Sequence, residues 1–130
     1  MEKTKSQFHT WTKLVISEAL NFFQKHVVTS MDPQSCDTKM KSINAPEREC
    51  KPKNTFFLDP KGVLNGICNF GNSRQTKAIN LKIIVCKCEN INEYPNCKYK
   101  AVEDRATSVT VLCDQNGVPS HAGSKSNGQQ

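Results

Sequence analysis

Cys50-Lys51-Pro52-Lys53-Asn54-Thr55-Phe56 is the stretch on which the fold and chemistry of this chain turn. By itself it is modest, and Lys51 would be one surface lysine among many. Its weight comes from three other stretches. Upstream stands Phe22-Phe23-Gln24-Lys25-His26. Downstream stand Tyr94-Pro95-Asn96-Cys97-Lys98-Tyr99 and then Cys113-Asp114-Gln115-Asn116-Gly117-Val118-Pro119-Ser120-His121.

The 130 residues suit one domain with a modest core. Apolar residues make up 36%, which is lean, and Lys plus Arg exceed the acids by 18 to 12. A basic surface points to a polyanionic partner: RNA, DNA, acidic glycans or anionic membranes. Seven cysteines in so short a chain point to disulfide bracing and an oxidising compartment. Six can form three bridges, in a connectivity that spacing leaves open, and one is left over. Cys86-Lys87-Cys88 is a close pair, but no second pair accompanies it, so a zinc site is not expected. Cys86 and Cys88 lie two apart on an expected strand and face one side; either could take the same partner. The spare thiol is expected to be buried and inert, with pairing between chains as the alternative.

Secretion is expected with the leader missing from this chain. Met1 is followed by Glu2, Lys3 and Lys5, and the apolar stretch 14–20 contains Glu18 and lacks signal-peptide flanks. No apolar run approaches a membrane span. No Asn-x-Ser/Thr acceptor occurs.

Residues 1–9 are polar and expected to be disordered, and His9 is read as surface. From Thr10, a plausible N-cap, the residues Trp11, Leu14, Val15, Ala19, Phe22, Phe23 and His26 fall on one helical stripe. Asp32-Pro33 is a helix start and predicts a second helix to about Ser42. Asp59-Pro60 repeats the signal and predicts a third ending near Cys68, weakened by Gly62 and Gly66. Gly71-Asn72-Ser73 is turn chemistry. Alternation predicts strands over 79–86, 97–102 and 108–113, with turns at Tyr94-Pro95-Asn96 and Asn116-Gly117. Residues 122–130 are expected to be a flexible tail. Helices first and antiparallel strands later define an α+β fold with one domain over 10–121.

Together these stretches resemble the pancreatic ribonuclease superfamily over roughly residues 20–123. Cys-Lys-x-x-Asn-Thr-Phe is its signature. Here it occurs with Phe-x-x-x-His, Tyr-Pro-Asn-Cys and a C-terminal Pro-x-His. The resemblance implies three helices on a bent antiparallel sheet and bridges Cys36–Cys86, Cys50–Cys97 and Cys68–Cys113. The short interval from Cys68 to Cys86 looks like that of angiogenins and amphibian or fish ribonucleases. Cys88 has no counterpart in the pattern.

It also implies endoribonuclease activity on single-stranded RNA, 3′ to pyrimidines, through a 2′,3′-cyclic phosphate. Cleavage takes a proton from the 2′-hydroxyl and gives one to the leaving 5′-oxygen, and imidazoles suit both tasks near neutrality. By resemblance His26 is the base, His121 the acid, and Lys51 the charge beside the phosphate. The 2′-hydroxyl is the nucleophile, so neither cofactor nor metal is needed and DNA is spared. Thr55 hydrogen-bonds the pyrimidine, its hydroxyl serving either uracil or cytosine. Lys25, Asn54 and Gln24 complete the expected substrate-binding set.

Four positions depart from the pattern. Ala122 stands where a bulky apolar residue is usual, Gly123 where an Asp orients the histidine, Ser120 for Val, and Lys25 for Gln. Reduced activity is therefore expected, from a monomer. Two other classes fit the charge and the short loop: a secreted cationic host-defence protein, and an angiogenin-like signalling protein with incidental nuclease activity.

Overall fold

The computed structural model describes residues 21–120 and the backbone course of 121–126. Asn21 is extended (φ −86°, ψ 177°) and caps helix α1, Phe22–His26. Its side chain accepts from the Gln24 N–H while the Gln24 side chain accepts from the Asn21 N–H, a reciprocal capping box. The expected stripe is therefore not one continuous helix through residue 21. Its Thr10 start and positions 10–20 lie outside the described residues, as do 1–9 and 127–130.

The chain then extends into β1, Val27–Val28, whose β-branched side chains favour it. Asp32-Pro33 does start helical structure. The Asp32 carboxylate accepts from the Gln34 N–H at 2.9 Å, a 3-10 turn runs Pro33–Ser35, and α2 follows over Cys36–Asn44. Cys36, Met40, Ile43 and Asn44 form its buried face at helical spacing.

Four longer strands complete the sheet: β2 Lys53–Leu58, β3 Ser73–Cys88, β4 Tyr99–Cys113 and β5 Pro119–Ser126. They pair in sequence order, antiparallel except for the short parallel β1–β2 contact. Pleating sends alternate residues to two cores. Phe57, Ile83, Val85, Val109 and Val111 meet Phe22, Leu64 and Ile67 in one; Phe56, Ile84 and Cys86 meet Cys36, Met40 and Ile43 in the other. That is why residues 83–86 are buried without a break. The bridges are Cys36–Cys86, Cys50–Cys97 and Cys68–Cys113, with Cys88 unpaired and half-buried.

Three expectations are corrected. No third helix forms over residues 59–68; the segment is a run of turns. Gly62 and Gly66 take φ of +72° and +70°, and the Asp59 carboxylate ties down the N–H groups of Val63 and Leu64, so the loop closes around its own acid. The strands expected at 97–102 and 108–113 are one strand, β4, because β3 pairs with it on both sides of an irregularity at Ala78/Leu81. Residues 122–126, expected in a tail, continue β5: Ala122 faces Val111 and Ser126 faces Ala106. Their small polar composition hid a strand whose backbone is simply completing the ladder. β2 and β1 were not anticipated at all. Among the described residues no helix is long and apolar enough to cross a membrane.

Candidate active site

His26 is the last residue of α1, and its ring reaches across to β2. Nδ1 lies 2.9 Å from the backbone carbonyl oxygen of Thr55 in β2. A carbonyl only accepts, so Nδ1 carries the hydrogen and, in the neutral ring, Nε2 keeps a free lone pair. Phe22 packs one helical turn back, its ring centroid 5.4 Å from the imidazole. Burial pulls the His26 pKa down to about 4; the Thr55 hydrogen bond works against this, and the charges of Lys51 and Lys25 add to it.

Lys51 precedes β2 and is half-buried. Its Nζ donates to Asn54 Oδ1 at 2.7 Å, and Asn54 Nδ2 donates to the Lys25 carbonyl at 2.9 Å. Asn54, 2% exposed, is thus engaged at both its oxygen and its nitrogen and ties the Lys51 ammonium to the helix that carries His26. Burial lowers the Lys51 pKa, Lys25 lowers it further, and Glu47 opposes. The peptide of Lys51 is held from both ends: its N–H donates to Asn44 Oδ1 at 2.9 Å, and the Tyr99 hydroxyl donates to its carbonyl at 2.7 Å. The Asn44 amide also donates to the Tyr99 oxygen at 3.1 Å. Burial, chiefly, raises the Tyr99 pKa, which keeps the phenol protonated as a donor. A recess of about 160 Å³ opens beside Lys51, between Lys25, Asn44 and Pro52.

His26, Lys25, Lys51, Asn54 and Thr55 are therefore brought together. Gln24 is not bonded to them: its side-chain oxygen is held in the α1 capping box. His121 lies on β5 opposite Leu112 of β4, and α1 borders β5, so the two histidines come from neighbouring elements. Asn44 and Tyr99 escaped the sequence reading. The signal available was Tyr99 standing two residues beyond Cys97, which its bridge to Cys50 draws against Lys51.

The pancreatic ribonuclease family model matches residues 17–123. The pancreatic ribonuclease of Myocastor coypus is 31% identical over 118 residues, covering 81% of this chain and 91% of its own. That of Notamacropus rufogriseus is 30% identical over 115 residues, covering 79% and 93%. Among solved structures, SS-RNase-2 superposes with a TM-score of 0.63 at 29% identity, covering 80% of this chain and 95% of that one. Zebrafish RNase5 gives 0.62 at 27% identity, covering 78% and 88%. With more than half its length matched, the chain belongs to the pancreatic ribonuclease family, a class of RNA-cleaving enzymes with this fold.

Proposed function

We propose that the protein is a secreted, monomeric endoribonuclease that cuts single-stranded RNA 3′ to pyrimidines by transphosphorylation through a 2′,3′-cyclic phosphate. The observation that carries this is the His26 ring. Its Nδ1–H is fixed on the Thr55 carbonyl, its Nε2 is left as the ring's acceptor, and its low pKa keeps it neutral at physiological pH. Such a ring accepts the proton of a 2′-hydroxyl as it attacks the adjacent phosphorus. The bond from 2′-oxygen to phosphorus forms, the bond to the 5′-oxygen breaks, and His121 as acid gives that oxygen its proton. Lys51, held by Asn54, sets its ammonium beside the phosphate as negative charge builds.

Thr55 shares its peptide with the His26 anchor and reads the pyrimidine through its hydroxyl. Lys25 adds a second cation near the scissile phosphate. On the Thr55 face of the sheet, Lys53, Lys87 and Lys100 stand in one cross-strand row, all exposed. Like charges directly opposite one another repel, and a polyanion relieves them. Three bridges suit export to an oxidising compartment.

The deciding assay is cleavage of poly-uridylate and poly-cytidylate against poly-adenylate. The expected result is pyrimidine-selective cleavage that falls at least about 1000-fold in His26→Ala and His121→Ala, as general acid–base catalysis contributes about 100- to 10000-fold. Turnover unchanged in either variant defeats the proposal.

A further inference from the structure

At the far end of β2 from Lys53 and Thr55, a separate cavity of about 470 Å³ lies between Leu58, the loop after it, and the β3–β4 irregularity. It shares no residue with the site described above. Its wall is mostly aliphatic, with Met31, Leu58, Val63 and Leu81 among its residues. Three cations belong to the same lining: Lys61, Lys82 and Arg105. Among the described residues the lining holds one acid, Asp59, whose two oxygens are already taken by the N–H groups of Val63 and Leu64. Arg105 is positioned by Asn80, its Nη1 donating to Asn80 Oδ1 at 3.1 Å. Lys82 pairs with the half-exposed Glu103 at 2.9 Å, an exchangeable surface contact.

A cavity of this size lies within the range that holds small ligands, and an aliphatic wall with a few convergent polar groups is how such sites are built. The cations call for an anionic head. Among the described residues no aromatic side chain lines the cavity, so a nucleobase would find no stacking partner there, whereas an alkyl chain is matched. We propose that this cavity binds a single-chain aliphatic carboxylate, the chain against Met31, Leu58, Val63 and Leu81 and the head at Lys82 and Arg105. The site is independent of the ribonuclease reading.

The test uses the full chain titrated calorimetrically with decanoate below its aggregation concentration, beside octanoate, decanol and inorganic phosphate. The methyl signals of Met31, Val63 and Leu81 are followed by NMR. One-to-one binding is expected, with shifts confined to those methyls. Octanoate should bind about tenfold more weakly, since each methylene is worth about 0.8 kcal/mol. Decanol should also bind more weakly, and phosphate alone should leave the methyls unmoved. The Lys82→Gln/Arg105→Gln variant changes exposed side chains and leaves the core intact; it should reduce decanoate to the level of decanol. Equal affinity for decanoate and decanol, an unchanged variant, no chain-length dependence, or shifts scattered over the basic surface would each overturn the assignment.

Discussion

The hydrogen on His26 Nδ1 is fixed by a main-chain oxygen, while burial of the ring decides how the protein responds to pH. With its pKa near 4, the ring is neutral over most of the acidic range. The acid limb of kcat/KM on a dinucleotide substrate should therefore rise near pH 4, well below the ordinary histidine value of about 6.5. Lys25→Gln removes one of the charges that depress the ring, so its limb should move upward. Stability follows the same group. Between pH 6.5 and 4 the unfolded histidine binds a proton that the folded one refuses, so stability is full above 6.5 and falls as the pH drops toward 4. The His26 share is roughly 3 kcal/mol, and it levels off below pH 4. Urea unfolding of the wild type against His26→Asn across that window isolates it: the difference should grow with pH and then flatten. Asn54 is the other decisive residue. Asn54→Ala leaves the part-buried Lys25 carbonyl without its donor and frees the Lys51 ammonium, at a cost of about 1–3 kcal/mol in stability and up to about 100-fold in kcat. Denaturation and single-turnover cleavage measure the two effects separately.

Among the elements, the turn segment 59–68 and the 114–118 turn each involve a glycine whose replacement should affect stability. Gly71 approaches the second of these so closely that a Cβ would lie 2.9 Å from the Gln115 carbonyl oxygen and 3.0 Å from that of Asp114. Backbone cannot swing aside as a side chain end does, so Gly71→Ala should cost about 1–3 kcal/mol, the scale of overpacking. Gly66→Ala meets nothing within 4 Å and suffers only from its left-handed backbone, about 1 kcal/mol. Melting temperatures of the two variants should rank accordingly. The same elements mark what was legible in the sequence. Asp32-Pro33 revealed its helical start because cap and ring act locally, through Asp32 and Gln34. Asp59-Pro60 looked identical, yet its acid bonds Val63 and Leu64 across a turn, a choice made by the glycines and the packed Leu64. β5 was invisible because Ala122, Gly123 and Ser124 carry no strand pattern; its ladder with β4 is imposed by the fold. The candidate residues His26, Lys51 and Thr55, which the fold gathers, stood out as a joint motif, whereas Asn44 and Tyr99 act on the Lys51 backbone and leave no chemical signature in sequence.

For the molecule as a whole, a lean core is braced by three bridges closing 45 to 50 residues each. Each should contribute roughly 4 kcal/mol by restricting the unfolded chain. Against a typical domain stability of about 5–15 kcal/mol, the fully reduced chain should lose its fold. The bridges should also differ in function. Replacing Cys50 and Cys97 by Ala loosens Lys51 and Tyr99 directly and should lower kcat under conditions where the protein remains folded. Replacing Cys68 and Cys113 should act chiefly through stability. Circular dichroism alongside cleavage of a fluorogenic dinucleotide distinguishes them.

The bond from the imidazole to the Thr55 carbonyl uses the main chain at residue 55 and leaves its side chain out of the transaction. Under the proposed reading, base selection and proton transfer thus fall to different atoms of one residue. Exchanging the Thr55 side chain should therefore leave the tautomer of the His26 ring where it is, whatever nucleobase the altered side chain would favour.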